Sequence, residues 1–341
     1  MRISLEAFLA AGKVVLADGA TGTNYFQMGL ESGEPPELWN IEHPERVREL
    51  HQAFVDAGAD IILTNTFGGN RDRLKLHHAQ DRVREINQRA AEIARAVADA
   101  APRPVVVAGS VGPTGALFEP LGALTESYAL EVFTEQITGL IAGGADVAWI
   151  ETMSAAEEIR AAARAAIAVG VPYTATGSFD TAGRTMMGLH PSGFGDVFAG
   201  LDPQPLAFGA NCGVGASDIL VTLLAMGETA IGETDGGRRL ISKGNCGVPH
   251  FQGTEIVYSG SPDLMAEYAR LAVDAGAAIV GGCCGTSPEH LRAMREAIDA
   301  HDAVAPPTTE QIVARIGPLA NSMPESLAEQ SARGRERRRS R

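Results

Sequence analysis

The stretch AAIVGGCCGT, residues 277–286, joins a short apolar run to two adjacent cysteines, and a helical pattern follows it. The same order, an apolar run and then a helical pattern, recurs along the chain. We predict eight strands, over residues 14–18, 60–64, 105–109, 146–151, 173–178, 205–211, 239–243 and 277–282. We predict helices over residues 43–57, 82–100, 126–142, 155–168, 218–226, 262–275 and 288–300. This alternation is typical of parallel βα units, and eight units predict an α/β protein with a closed (β/α)8 TIM barrel.

One unit of the predicted barrel is irregular, because residues 192–201, before the sixth strand, are few and rich in glycine. The length of 341 residues fits one barrel, which we assign to residues 1–305. We expect a linker with one short helix near residues 310–315, and then a basic tail, over residues 306–341, since residues 331–341 include six arginines and one glutamate. A run of like charges at a terminus is typical of a disordered end.

Charge and hydropathy argue against two classes of partner. The net charge is −14 although the basic tail contributes +5, so the barrel is strongly acidic and we expect it not to bind nucleic acid. No apolar run approaches the roughly 18 residues of a membrane span, and no secretory signal precedes the first strand. We therefore expect a cytoplasmic protein without a membrane partner. Its four cysteines then point to a metal or to catalysis rather than to disulfides.

Three cysteines follow predicted strands at points that a closed barrel brings together. Cys212 follows the sixth strand, and Cys283 and Cys284 follow the eighth. The carboxyl ends of all strands share one face of such a barrel, so thiols that are distant in sequence can converge. Glycines on both sides of the adjacent pair permit the bend that two sulfurs on one metal need. Three thiolates favour Zn²⁺ and leave one tetrahedral position open, which is typical of a catalytic site.

The cysteines also have alternative interpretations. Small buried residues of this kind occur in strands without any metal. Cys246, in GNCGVPHF, also lies near a strand end and is an alternative fourth ligand. A fourth thiolate would close the site to a substrate sulfur, so we predict that Cys246 is a loop residue.

Two acidic residues follow predicted strands on the same face. Asp18 begins DGATGT, residues 18–23, whose small residues expose backbone N–H groups that could hold a carboxylate. Glu151 ends the fourth strand, and a carboxylate there needs a cationic partner or water. Together the two acids could hold the amino group of an amino acid. The alternative for Asp18 is a turn or a helix cap.

Six motifs occur in the order and spacing of the homocysteine S-methyltransferase family: DGATGT (18–23), LTNTFGGN (63–70), GSVGPTG (109–115), IET (150–152), GANC (209–212) and GGCCGT (281–286). Residues 12–300 resemble this family, which includes betaine-homocysteine methyltransferase and the homocysteine-binding module of cobalamin-dependent methionine synthase. The resemblance implies a (β/α)8 barrel, and a methyl transfer to homocysteine that forms methionine. It further implies one zinc ion per chain, bound by the catalytic cysteines Cys212, Cys283 and Cys284. The implied homocysteine contacts are Asp18, Gly19, Ala20, Thr21, Thr66, Glu151 and Asn211.

The methyl donor is the part that the motifs define least. The methionine synthase module is the more similar, through NTFGGN, GPTG and GGCCGTSPEHL, so we expect a methylcorrinoid donor, free or on a separate corrinoid protein. Betaine enzymes hold a quaternary ammonium with aromatic residues. Here Asn70 and Thr152 stand where the resemblance implies tyrosines, although Trp39 and Tyr25 could substitute for them. Betaine, dimethylsulfoniopropionate and S-methylmethionine therefore stay open as small donors.

Two hypotheses from other classes also stay open. The chain could be a non-catalytic subunit that binds zinc or homocysteine for a partner. It could instead be a barrel enzyme that uses Asp18 and Glu151 as an acid and base pair on a sugar. Metal content and turnover distinguish the three.

Overall fold

The computed structural model describes residues 2–230, 239–252 and 255–321. Its strands are β1 (Val15–Leu16), β2 (Ile61–Leu63), β3 (Val106–Val111), β4 (Val147–Met153), β5 (Tyr173–Gly177), β6 (Phe208–Cys212), β7 (Leu240–Gly244), β8 (Pro249–Gln252), β9 (Glu255–Tyr258) and β10 (Ala277–Gly282). Eight of them form one parallel sheet in the order β1-β10-β7-β6-β5-β4-β3-β2. The sheet closes between β1 and β2, because Ala17 bridges Ile61 and the Asp18 N–H donates to the Ile61 oxygen at 3.0 Å. The predicted (β/α)8 barrel is confirmed.

Helices surround the barrel. They are α1 (Leu5–Ala10), α2 (Gly22–Gln27), α3 (Trp39–Glu42), α4 (Pro44–Asp56), α5 (Arg71–Leu74), α6 (Val83–Ala100), α7 (Glu126–Ala142), α8 (Ala156–Val169), α9 (Ala216–Ala230), α10 (Pro262–Asp274), α11 (Pro288–Asp299) and α12 (Thr309–Ile316). Each of the seven predicted helices matches one of these. Between β5 and β6 the chain instead forms a 3₁₀ helix, Pro191–Phe198, so the predicted irregular unit is confirmed. No helix in the described ranges is long and apolar enough to cross a membrane.

The strands are buried on both faces, which explains why they appear as unbroken apolar runs in the sequence. Residues that point outward, such as Ile62, Val107 and Val280, pack under the helices in the main core. Residues that point inward form a second cluster inside the barrel. Its members on the strands are Val15, Ala17, Ile61, Leu63, Val106, Ala108, Val147, Trp149, Ile241 and Ile279.

Helix α1 covers the amino-terminal end of the barrel. Ser4 begins the helix by accepting a hydrogen bond from the Ala7 N–H at 3.2 Å. Leu5 and Leu9 are both buried and belong to the cluster inside the barrel. The interior is therefore sealed at this end, and the opposite end carries the loops that follow the strands.

Helices α1, α2, α3 and α5 and one hairpin were not predicted from the sequence, and α12 was predicted only in outline. The antiparallel hairpin of β8 and β9 lies between β7 and α10, where we predicted no strand. Helix α12 lies in the predicted linker, and its Ile312 is fully buried against the barrel helices. After α12 the chain returns to α9, where Asp218 accepts hydrogen bonds from the backbone of Ala320 and Asn321. The predicted basic tail, 331–341, lies outside the described residues.

Candidate metal and substrate site

Three thiols converge at the carboxyl ends of β6 and β10. The sulfurs of Cys212, Cys283 and Cys284 all lie within 4.8 Å of one another. The Cys212 and Cys284 sulfurs are 3.9 Å apart. Tetrahedral zinc with Zn–S bonds of about 2.3 Å places two sulfurs roughly 3.8 Å apart, so this spacing fits a zinc site. All three residues are partly exposed.

The backbone at Cys212 is held in an unusual conformation. Its φ is +61°, in the left-handed region that residues other than glycine seldom adopt, and Thr152 at the end of β4 has φ +60°. One side chain supports both residues, because Asn211 Oδ1 accepts from the Thr152 N–H at 2.8 Å and Asn211 Nδ2 donates to Thr152 Oγ1 at 2.8 Å. Asn211 Nδ2 also lies 3.8 Å from the Cys283 sulfur. Backbone strain of this kind is typical of functional sites.

Asn245, which follows β7, joins the two parts of the thiol cluster. Its Oδ1 accepts from the Cys284 N–H at 3.1 Å, and its Nδ2 donates to the Gly213 oxygen at 2.8 Å. The side chain is buried, so it fixes the loop after β6 against the loop after β10. We did not predict a role for Asn245 from the sequence. The only signal was its position two residues beyond the end of the predicted strand 239–243.

Cys246 stands apart from the three thiols. Among the described residues, the group whose ligand atoms lie close enough to share a metal does not include it. Its side chain is buried, and burial raises the pKa of its thiol to about 12. Its N–H donates to the Cys284 oxygen, so it contributes backbone support to the cluster. That position agrees with the predicted loop role.

The three thiols of the cluster shift one another's pKa values. The pKa of Cys284 falls, because Cys212 and then Cys283 donate hydrogen bonds to its sulfur. The pKa of Cys212 rises, because its thiol donates to Cys283 and to Cys284. The cluster thus accommodates a thiolate even before a cation is added. A cation would stabilise further thiolates there.

Asp18 lies at the end of β1 and is 1% exposed. Its Oδ1 accepts from Lys243 Nζ at 2.8 Å, and its Oδ2 accepts from the Leu63 N–H at 2.7 Å. Both oxygens are therefore engaged within the chain. Lys243, in the upper part of β7, was not among the predicted site residues. Burial favours its neutral amine, but the carboxylates of Asp18 and Glu151 outweigh this effect and raise the pKa of Lys243.

Glu151 lies at the end of β4, with a side chain that differs from Asp18 in its hydrogen bonds. Its Oε1 accepts from Ser110 Oγ at 2.5 Å, whereas its Oε2 takes no hydrogen bond from any described residue. Burial raises the pKa of Glu151 to about 7, against the opposing effects of Lys243 and Ser110. Glu151 is therefore a buried carboxylate with one oxygen available to a ligand.

The remaining predicted contacts divide into two groups. The Ala20 N–H donates to the Thr286 oxygen, whereas the N–H groups of Gly19 and Thr21 donate to no described residue. Gly19 is required for close packing, because a Cβ there would lie 2.6 Å from the Thr286 oxygen. Thr66 is fully buried and donates from Oγ1 to the Ser110 oxygen at 2.7 Å. Thr66 thus supports β3 from inside the protein.

Comparison with known proteins agrees with this site. The sequence pattern of the family described as "Homocysteine S-methyltransferase" matches residues 15–298, so the chain belongs to that family. Methionine synthase of Mycobacterium leprae is 31% identical over 308 residues, and that of Mycobacterium tuberculosis is 31% identical over 306 residues. Both matches cover 84% of this chain and, respectively, 24% and 25% of the relative. The chain therefore spans about a quarter of the length of these relatives.

Solved structures with a similar fold include the homocysteine methyltransferase MmuM from Escherichia coli. Its metallated form superposes with a TM-score of 0.69 at 23% identity, over 86% of this chain and 99% of that one. Its oxidized form gives the same TM-score over 83% of this chain and 95% of that one. At this identity the likeness concerns the fold.

Proposed function

We propose that this chain is a zinc-dependent homocysteine S-methyltransferase that forms methionine. The observation that carries the proposal is the convergence of Cys212, Cys283 and Cys284 at the open end of the barrel, within 4.8 Å of one another. Zinc bound by these thiolates, one ion per chain, would hold the homocysteine thiol in the fourth position and lower its pKa toward neutrality. Membership of the homocysteine S-methyltransferase family supports the substrate.

The chain's own residues have separate roles in this proposal. Glu151 Oε2 accepts hydrogen bonds from the substrate ammonium, while Ser110 holds the other oxygen of Glu151 in place. The N–H groups of Gly19 and Thr21, which donate to no described residue, would bind the substrate carboxylate. Asn211 keeps its amide against the Cys283 sulfur. Fixing the amino acid at one end and its sulfur at the other directs the nucleophile toward the methyl donor.

We propose a methylated corrinoid, free or carried by a separate protein, as the donor. The resemblance of NTFGGN, GPTG and GGCCGTSPEHL to the homocysteine-binding module of cobalamin-dependent methionine synthase supports this choice. So does the placement of Asn70, which is fully buried and begins α5 by accepting from the Arg73 N–H at 3.0 Å. Trp39 and Tyr25 are 3% and 0% exposed and pack against each other, with ring centroids 5.1 Å apart. These aromatic rings belong to the core, which disfavours a betaine site built from them.

Methionine formation tests the donor and the reaction together. Zinc-loaded protein would be given homocysteine and, in turn, a methylated corrinoid protein, methylcobalamin, betaine, dimethylsulfoniopropionate or S-methylmethionine. We expect the corrinoid donors to exceed the small donors. Cys283→Ala protein is the control for uncatalysed transfer. Turnover with betaine alone would refute the corrinoid donor and leave the homocysteine part of the reaction intact.

The same assay addresses the two alternatives from other classes. Binding of zinc and homocysteine without turnover from any donor would favour a non-catalytic subunit. The sugar enzyme needs Asp18 and Glu151 as a proton-transfer pair, but Asp18 is already bonded to Lys243 and Leu63. That arrangement disfavours the acid and base pair.

A further inference from the structure

Lys243 is a buried charged side chain near the carboxyl end of β7, inside the barrel. It is 2% exposed, and its Nζ lies 5.8 Å from the centroid of the Trp149 ring. The barrel makes room for its aliphatic stem, because a Cβ on Gly281 would lie 3.0 Å from Lys243 Cγ. Of the described residues, Asp18 alone accepts a hydrogen bond from the ammonium. A buried ammonium needs such a counter-ion, since desolvation of an unpaired charge is very unfavourable.

The pair lies where the barrel closes. Asp18 follows β1, which has only two residues, and Asp18 Oδ2 accepts from the Leu63 N–H on β2. Lys243 is on β7, which is two strands away from β1 in the sheet. The ion pair therefore links β7 to β1 and β2, the two edge strands at which the barrel closes. Lys243 pairs in register with Asn211 on β6 and with Gly281 on β10, one residue before Cys212 and two residues before Cys283.

We propose that Lys243 is a positioning residue that gives the two carboxylates different roles. It holds Asp18 in the barrel wall as its counter-ion and leaves Glu151 as the carboxylate that binds the substrate ammonium. The inference rests on the proposed function, because homocysteine supplies that ammonium. It reassigns Asp18, which the family resemblance implied to be a substrate contact. The inference rests on a difference between the two carboxylates. Both oxygens of Asp18 accept hydrogen bonds, whereas Oε2 of Glu151 accepts none from any described residue.

Loss of either member of the pair should weaken homocysteine binding through Glu151. In Asp18→Asn, the released Lys243 ammonium is drawn to the Glu151 carboxylate and competes with the substrate. In Lys243→Met, no ammonium compensates the charge of the Asp18 carboxylate. The site therefore takes up a proton, and Glu151 can share that proton with Asp18. The double variant Asp18→Asn/Lys243→Met removes both charges at similar volume, a change that buried ion pairs often tolerate. The amide oxygen introduced by Asp18→Asn still accepts from the Leu63 N–H.

Calorimetric titration of the zinc-loaded proteins with homocysteine tests the assignment. We expect each single variant to raise the Kd by about tenfold or more, as does Glu151→Gln, and the double variant to return to within about threefold of wild type. Arg95→Met is the matched control, because Arg95 also forms a buried ion pair, with Asp146 at 2.8 Å, away from the site. It should lower the unfolding midpoint and keep the wild-type Kd. All variants should retain one zinc per chain.

The outcomes separate the possible roles. A double variant as weak as Glu151→Gln would show that Asp18 itself contacts the substrate and would overturn the assignment. Single variants with wild-type Kd and a lowered unfolding midpoint would reduce the pair to a structural role and overturn it too. If Lys243→Met does not fold, Asp18→Asn and the double variant still give this comparison. Zinc-loaded wild-type protein that does not bind homocysteine would instead refute the proposed function, and the assignment with it.

Discussion

The lower and upper halves of the barrel interior share the same strands and differ in residue type. The lower half, toward α1, contains Val15, Ile61, Val106, Val147, Ile241 and Ile279, each at most 1% exposed. The upper half contains Ser110, Glu151, Asn211, Lys243 and the three clustered cysteines Cys212, Cys283 and Cys284. The lower side chains need no specific partner, whereas the upper ones are held by hydrogen bonds or by an ion pair. The comparison indicates that the lower half of the barrel serves stability and the upper half serves the chemistry, as is general for this fold.

The largest effect is expected from loss of the metal from the upper half. It would sharpen the comparison between the two halves. We expect Cys283→Ala, like Cys212→Ala and Cys284→Ala, to reduce zinc from about one per chain to almost none, because two thiolates leave an incomplete site. Elemental analysis of the purified proteins measures this. Cys246→Ala is the matched control and should keep its zinc. Full occupancy in Cys283→Ala would reject the site.

A large effect of a different kind is expected in the lower half. Ile241→Ala removes a fully buried side chain from the apolar cluster and should lower the free energy of unfolding by roughly 2 to 4 kcal/mol. Zinc content and homocysteine Kd of the folded protein should not change. Urea denaturation measures the loss, and Val304→Ala, at a position that is 64% exposed, should change little. Loss of zinc from folded Ile241→Ala would break the division between the halves.

The lower half was largely predictable from the sequence, because strands buried on both faces appear as short apolar runs. The predicted strand 277–282 has the bounds of β10, and the predicted strand 173–178 is one residue longer than β5. The convergence of the three cysteines was predictable too, since all strand ends of a closed barrel share one face. Helix α1 and the β8–β9 hairpin were missed, because neither follows the repeating βα order.

The pairing inside the upper half could not be predicted. Lys243 ended a predicted strand, where a lysine usually extends into solvent. Its partner Asp18 is 225 positions away, and their contact depends on barrel closure and on the space left by Gly281. Likewise, no feature of the sequence indicated which residues Asn245 would bond. Long-range contacts between single polar residues have no periodicity from which they could be inferred.

A buried carboxyl group should make the stability of the upper half depend on pH. Burial raises the pKa of Glu151 from 4.5 to about 7, so the folded protein holds a proton that the unfolded chain has released. As the pH rises from about 4.5 to about 7, the metal-free protein should therefore lose the stabilisation that the Glu151 proton provides, up to roughly 3 kcal/mol. Glu151→Gln cannot titrate and should lack this loss.

Denaturation of both proteins across this pH range measures the difference. Glu49→Gln, at an exposed position of α4, is the control and should follow the wild-type profile. A wild-type profile in Glu151→Gln would show that the site holds this carboxylate ionised throughout. The upper and lower halves of the barrel would then not differ in proton binding.

The smallest effect concerns Asn245, whose side chain bonds the backbone at Cys284 and at Gly213. Asn245→Ala leaves all three thiols in place but removes the link between the loops that carry them, so the sulfurs must be ordered by the metal itself. Losses of this kind usually weaken metal affinity about 10- to 100-fold. We therefore expect full zinc content when zinc is in excess and a faster loss of zinc to a competing chelator.

Asn87→Ala is the matched control, because Asn87 is also buried and bonds the backbone at Gly69 and Val83, on the outside of the barrel. It should lower stability and keep the wild-type zinc affinity. Equal zinc affinity in wild type and Asn245→Ala would mean that β6 and β10 position the thiols without this side chain, and that the polar contacts of the upper half matter less than the strands beneath them.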